Sequence, residues 1–286
     1  MITPPMTIAE ALRWATLQLM NSESAKLDAE VLLAHIVERD RTYLFTWSDR
    51  LLELTDQERF VALVHQRQQG IPVAHLVGQR EFWSLPLAVN ESTLIPRPDT
   101  EVLVEHALRL PLPAESAVLD LGTGTGAIAL ALKSSRPEWQ VLAVDKMAEA
   151  VALAKQNATT LNLAVEIKQS DWFAVLAPHQ KFDLIVSNPP YIDASDPHLE
   201  LGDVRFEPKT ALVAANQGLS DIETIILGAT SYLRAPGWLL IEHGWTQGAA
   251  VRDLMQKAQF NAVTSIRDYA NLERVTVGQW SNANGQ

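Results

Sequence analysis

The spacing of apolar residues divides the chain into two stretches of different character. Up to about residue 75 the period is helical. Ile8, Leu12, Ala15 and Leu19 fall on one helical face. Ahead of them, Thr7-Ile8-Ala9-Glu10 fits a capping box, in which hydroxyl and carboxylate satisfy the first free N–H groups. A second helix is expected over 27–37, burying Val31, Leu32 and Ile36. A third is expected to open on another box, Thr55-Asp56-Gln57-Glu58, to bury Leu54, Val61 and Val64, and to stop at Gly70 and Pro72. Residues 1–78 therefore read as a small helical bundle. His35 and His65 read as helix-face residues, since no metal-ligand spacing accompanies them.

Residues 79–100 read as a linker. Phe82, Trp83, Leu85, Leu87 and Val89 partly alternate, with Pro86 among them, which predicts an edge hairpin. The prolines of Leu94-Ile95-Pro96-Arg97-Pro98-Asp99-Thr100-Glu101 then stiffen a connector. Asp99 or Thr100 is expected to cap a helix over 101–110. The connector reads either as a rigid spacer or as one wall of a site where two domains meet.

From residue 101 to 286 the pattern becomes an alternation of strands and helices. Strands are expected at 117–121, 140–145, 165–167, 182–186, 238–242, 263–267 and 274–279. Helices are expected from Ala127, over 147–158, from a box at Ser220-Asp221-Ile222-Glu223 through Ala229, and over 247–258. That order argues an α/β fold: a doubly wound, mostly parallel sheet preceded by the helical bundle and the hairpin linker.

Composition narrows the function classes. The chain has 286 residues, 47% hydrophobic and 20% charged, values of an ordinary globular protein. Cysteine is absent, which removes disulfides, thiolate metal ligands and a thiol nucleophile, and fits a reducing cytoplasm. No apolar run approaches a membrane span, and no signal segment opens the chain. The formal net charge is -11, of which residues 1–80 carry only -2. Such an excess of acid disfavours a bare nucleic-acid partner, which needs Lys and Arg against its phosphates.

Candidate chemistry lies after four of the expected strands. Gly122-Thr123-Gly124-Thr125-Gly126 follows the first, where glycines let a backbone approach a ligand closely. Asp145 ends the next, about 20 residues on, where an acid can accept ribose hydroxyls. Asp120, just before the turn, can orient the loop or accept from an amino group. Asp171-Trp172 follows the third strand and can hold an adenine by its carboxylate or ring, although Trp172 also suits core packing. Ser187-Asn188-Pro189-Pro190-Tyr191-Ile192 follows the fourth. Its prolines end the ladder and hold Asn188 extended. The Asn188 side chain and the Pro189 carbonyl can accept hydrogen bonds beside the flat ring of Tyr191, which suits a planar group bearing NH2. The glycine turn alone also fits a nicotinamide-dependent oxidoreductase, but that reading leaves Asn188 to Tyr191 idle. An exocyclic-amino methyltransferase of nucleic-acid bases suits the acceptors but not the charge. A binding module with a degenerate cofactor fold would not need both motifs intact.

Taken together, Asp120 to Gly126, Asp145, Asp171-Trp172 and Asn188-Pro189-Pro190-Tyr191 resemble the class I S-adenosylmethionine-dependent methyltransferases. With Ile95 to Glu101, Arg205-Phe206-Glu207-Pro208, Ala211-Leu212 and the helical N-terminal segment, the chain resembles the HemK/PrmC-type protein-(glutamine-N5) methyltransferases of peptide chain release factors. The resemblance implies S-adenosylmethionine as cofactor. Gly122, Thr123, Gly124, Thr125 and Gly126 would pass under its methionine and ribose, Asp145 would hold the ribose hydroxyls, and Trp172 would lie against the adenine. Asn188, Pro189, Pro190 and Tyr191 would hold the substrate glutamine, with Asn188 also beside the cofactor. Catalysis would rest on Asn188, Pro189 and Tyr191, and no metal is expected. The implied partner is a bacterial class 1 release factor, docked in part by the bundle. A cytoplasmic monomer without direct nucleic-acid or membrane contact is expected. In Ile241-Glu242-His243-Gly244, His243 stands where many relatives have an aliphatic residue.

Overall fold

The structure, a computed structural model, describes residues 4–281. Two compact units form: one from the residues up to Gln79 together with Leu201–Phe206, the other from Arg80–Glu200 and Glu207–Gln286.

The first unit is built from α1 (Ile8–Gln18), α2 (Ala25–Val37), α3 (Arg41–Thr46), α4 (Leu54–Gln68) and α5 (Val73–Val77). The capping box at Thr7 forms, with the Glu10 carboxylate accepting from the Thr7 N–H at 2.8 Å. Ile8, Ala11, Ala15, Leu32, Leu33, Phe60 and Val64 meet in one apolar core. Three expectations fail at α4. The helix begins one residue early, so Thr55 lies inside it and no side chain caps it, Leu54 is 44% exposed, and Val61 is only half-buried. Gln57 is instead buried, accepting from the Met6 N–H at 2.6 Å. Segment 201–206 joins this unit through charge. Arg67, whose side chain is 11% exposed, lies 2.8 Å from Asp28 and 2.7 Å from Asp203.

In the second unit β1 (Gln79–Phe82) and β2 (Leu85–Ala88) make the hairpin, with Trp83 and Ser84 at positive φ in its turn. Then follow α6 (Glu101–Arg109), β3 (Ala117–Leu121), α7 (Ala127–Ser135), β4 (Gln140–Asp145), α8 (Ala148–Thr160), β5 (Glu166–Gln169) and β6 (Phe182–Ser187). A short turn, α9 (Ala215–Gly218), leads to α10 (Ser220–Tyr232), β7 (Leu233–Glu242), α11 (Gly248–Lys257), β8 (Asn261–Arg267) and β9 (Glu273–Trp280). The seven-stranded sheet has the order β5-β4-β3-β6-β7-β9-β8. β3 to β7 pair in parallel, and β9 pairs antiparallel with both β7 and β8.

Alternation along the strands feeds a core on each face, because successive side chains point to opposite sides. Val118, Val141, Ala143, Leu184 and Val186 meet α6, α7 and α8. Leu119, Leu121, Leu142, Val144 and Ile185 meet α10 and α11. Two capping expectations fail here. Neither Asp99 nor Thr100 caps α6 through its side chain, because a 3-10 turn over Pro98–Thr100 enters that helix. α10 starts at Ser220 itself with no side-chain cap, so the box expected at 220–223 is absent. Among the described residues no helix is long and apolar enough to cross a membrane.

Candidate active site

The sheet order places the site. Ligands of open α/β sheets bind beyond the carboxyl ends of strands where the order reverses. Here that point lies between β3 and β6, with Leu121 in register with Val144 on one side and Ser187 on the other. Asp145 pairs in register with Gln169 at the end of β5. The loops after β3, β4, β5 and β6 therefore open at one level. They enclose a cavity of about 370 Å³ within the second unit.

Gly122, Thr123, Gly124, Thr125, Asp145, Trp172, Asn188 and Pro190 line this cavity, and Gly126, Pro189 and Tyr191 do not. The glycine turn has φ of +70° at Gly122, +55° at Gly124 and +86° at Gly126, a region that side chains with a Cβ rarely adopt. A Cβ on Gly122 would stand 3.4 Å from the Trp172 ring, an ordinary contact, so that ring lies directly over the turn and the φ alone calls for glycine. Trp172 itself has φ +46°, a strained backbone held by the hydroxyl of Ser170, which donates to the Trp172 carbonyl at 2.8 Å. The Asp145 carboxylate accepts from the Gly124 N–H and the Met147 N–H, each at 2.9 Å, and so ties the glycine turn to the next loop. Burial raises its pKa against those bonds.

Asp120 sits under the turn. Its carboxyl is fully buried and accepts from the Thr123 hydroxyl at 2.6 Å and the Ala129 N–H at 3.3 Å. Burial pushes its pKa up to about 7, with the Asp145 charge adding to the shift and the two hydrogen bonds opposing it. Its Oδ1 has no hydrogen-bond partner among the described residues, and neither does the Thr93 hydroxyl on the cavity wall. The connector supplies Thr93, Leu94, Pro96, Arg97 and Thr100 to that wall. Glu207, with its side chain inaccessible, holds the connector there. It accepts from the Ile95 N–H at 2.8 Å and pairs with Arg97 at 2.5 Å.

Asn188 is oriented by Thr100, whose hydroxyl oxygen accepts from Nδ2 at 3.2 Å. The amide oxygen is left as the free end, on a side chain that faces the cavity. Tyr191 packs against the core under α10 and α11, and its hydroxyl donates to Glu242 at 3.4 Å. Burial first, then the Glu242 charge, pushes that hydroxyl well above the usual tyrosine range. The sequence marks Thr100 only as a cap candidate in a connector that could wall a site, and does not mark Thr93, Glu207 or Glu242 as site residues. Thr100 and Glu207 lie in runs that carried the resemblance, and no spacing signal marks the others. His243 is a satisfied core residue. Its Nδ1–H donates to the Gly244 carbonyl at 2.9 Å, its Nε2 accepts from the Thr276 hydroxyl at 2.8 Å, and burial lowers its pKa.

The cavity suits a cationic, partly aromatic guest. Its wall carries Asp145, Asp171 and Asp221 against Lys146 and Arg97; Lys146 pairs with Asp171 and Arg97 with Glu207. It also offers the Trp172 ring and a turn whose left-handed backbone at Gly122 and Gly124 favours glycine. Among the described residues no cluster of acids and histidines could hold a metal.

Comparison with known proteins adds three findings. Residues 10–78 match the PrmC N-terminal domain, and residues 98–207 the methyltransferase small domain. A methyltransferase from Pyrococcus furiosus shares the fold, with a TM-score of 0.54 at 15% identity over 77% of this chain and 98% of that one. The release factor glutamine methyltransferase of Shewanella oneidensis is 56% identical over 96% of both chains. That of Escherichia coli is 54% identical over 94% of this chain and 97% of its own. At that identity over nearly its whole length, the chain belongs to the release factor glutamine methyltransferase family.

Proposed function

We propose that this enzyme transfers a methyl group from S-adenosylmethionine to the side-chain amide nitrogen (N5) of the glutamine in the Gly-Gly-Gln motif of bacterial class 1 release factors. One observation carries the reading. Asn188 stands on the cavity wall with its NH2 engaged by Thr100, so that its oxygen is the end available to a substrate. S-adenosylmethionine, when bound, supplies a methyl group on a positively charged sulfur. The turn Gly122–Gly126 would hold its methionine and ribose, Asp145 the ribose hydroxyls and Trp172 the adenine. The acids of the wall favour the positive charge, and the free Thr93 hydroxyl is available to a polar group of the same guest.

A primary amide nitrogen is a weak nucleophile, because its lone pair is delocalised into the carbonyl. No side chain of the site deprotonates it, so the residues work by positioning and polarisation. Asn188 Oδ1 and the Pro189 carbonyl each accept one N–H of the glutamine. Both bonds strengthen as positive charge develops on that nitrogen, which favours the transition state over the ground state. Two successive prolines leave no backbone donor beside those acceptors. Tyr191 is half-buried and tethered at its hydroxyl, and the rest of its ring would pack against the flat amide. The proton leaves late, to solvent. The bundle supplies docking surface for the release factor, and the reaction belongs in the cytoplasm.

The test is transfer of labelled methyl to a purified release factor, compared with the same factor carrying Gln→Ala in its Gly-Gly-Gln motif. Label is expected on the first and not on the second. Transfer that survives the substitution rejects the target, and transfer to nucleic acid instead would move the acceptor to a base.

A further inference from the structure

Glu242 ends β7 at 1% exposure and lies off the cavity wall. We propose that it is a positioning residue, acting through Thr100 to decide which end of the Asn188 amide faces the cavity. The inference rests on Asn188 being the acceptor for the substrate amide.

The two ends of an asparagine side chain have nearly the same shape and opposite hydrogen-bonding character. A half-turn of the Asn188 amide would present NH2 where an acceptor is needed, and only its neighbours oppose that turn. The neighbour at its inner end is the Thr100 hydroxyl, at 3.2 Å. A hydroxyl can donate or accept, so Thr100 alone would receive either end of the amide. Its choice is settled by where its own proton goes. Beside it lies Glu242, whose ionised carboxylate only accepts, and the Thr100 hydroxyl favours that ionised form. Oε1 of Glu242 accepts from the Tyr191 hydroxyl. Oε2 is buried with no hydrogen-bond partner among the described residues, which leaves it open to the Thr100 proton. With that proton drawn to Glu242, the Thr100 oxygen accepts, and only the NH2 end of Asn188 fits against it.

The surroundings give this acid no simpler structural purpose. Arg274, whose charge acts on this carboxyl, is itself paired with Asp268 at 3.0 Å and Asp99 at 3.3 Å. A buried carboxylate with an unsatisfied oxygen costs stability that an apolar residue of like volume would not. What Glu242 adds is direction. One acid orders the hydroxyls of Thr100 and Tyr191, and so governs both ends of the segment from Asn188 to Tyr191.

The experiment compares the full chain with Glu242→Gln, Thr100→Val, Thr100→Ser and the Glu242→Gln/Thr100→Val double variant, using a bacterial class 1 release factor as substrate. Glutamine can donate to Thr100, which frees the threonine proton for Asn188 and inverts the amide. Glu242→Gln and Thr100→Val should each lower kcat about 10- to 100-fold with cofactor Kd within about threefold. Thr100→Ser, which keeps the hydroxyl, should stay within about threefold of wild type, and the double variant should be no worse than the poorer single. A second readout needs no turnover. The 15N-labelled Asn188 side-chain amide should exchange slowly with solvent in the wild type and fast in Glu242→Gln and Thr100→Val. If Glu242→Gln does not fold, Glu242→Asp, which withdraws the carboxylate by one methylene, should give the same pair of changes. Wild-type kcat in Glu242→Gln overturns the proposal, and so does a Thr100→Ser variant as impaired as Thr100→Val. A wild-type chain that fails to methylate the release factor rejects the substrate instead, and the exchange readout then decides the role of Glu242 alone.

Discussion

Asn188 and Asp145 divide the work of the site by what each can accept. Asn188 has one end fastened to Thr100 and the other turned to the cavity, so its loss removes an acceptor without disturbing the glycine turn. Asn188→Ala is expected to lower kcat by roughly 10²–10³, the usual loss for one preorganised polar group, while cofactor affinity changes little. Asp145 holds two backbone N–H groups as well as facing the cavity. Asp145→Ala should therefore weaken cofactor binding at least tenfold, about the value of a charge-assisted hydrogen bond, and lower kcat less at saturating cofactor. Calorimetric titration of S-adenosylmethionine beside steady-state kinetics separates the two. Equal loss of affinity in both variants would remove the distinction. Both residues are legible in the sequence because they follow strand-like runs. Glu242 is not, because an acid ending an apolar strand looks the same whether it faces water or a hydroxyl.

At the scale of elements, the segment from Asn188 to Tyr191 is held by turns remote from it in the chain. Ile192 donates its N–H to the Leu212 carbonyl at 2.9 Å, and the Tyr191 carbonyl accepts from the Gln247 side chain at 3.0 Å. Gly218 comes closest. Its φ is +80°, and a Cβ there would stand 2.0 Å from the Tyr191 carbonyl oxygen. Gly218→Ala must therefore displace backbone, not the end of a flexible side chain. A loss of roughly 1–3 kcal/mol is expected, together with a fall in kcat, since the displaced residue adjoins the amide acceptors. Thermal unfolding and turnover check it, and an unchanged Tm would show that the turn yields freely. Nothing in the run Ala215–Gly218 announces this contact, because close approach between distant loops leaves no period in the sequence. The failed boxes at Thr55 and Ser220 teach the converse. A capping pattern marks a helix start only where the chain actually turns into the helix, and packing moved both starts by one residue or more.

For the molecule as a whole, burying acids in the second unit ties stability to pH. Asp120 rises from 3.8 to about 7 and Glu242 from 4.5 to about 7, both chiefly by burial. Each therefore holds its proton more tightly in the folded chain than in the unfolded one. Between about pH 4 and pH 7 the folded state binds more protons, so stability falls as pH rises through that window and levels off above it. Asp120→Asn should flatten part of the slope, with the amide oxygen still accepting from Thr123. Urea unfolding at pH 5, 6 and 7.5 measures it. A wild type that gains stability over this range would contradict the upward shift of these two acids.

The sequence by itself determined the class of the fold, the extents of β3 and β4, and the glycine turn, Asp145 and Asn188. These follow from periodicity and from residues whose backbone preferences are local. The tertiary structure decided which loops share a cavity, and that Gly126, Pro189 and Tyr191 stand off its wall. It also returned segment 201–206 to the helical unit, and placed Glu207 and Glu242 behind the site. Strand order and the burial of a charge depend on contacts between residues far apart in the chain, and local preference carries no record of them.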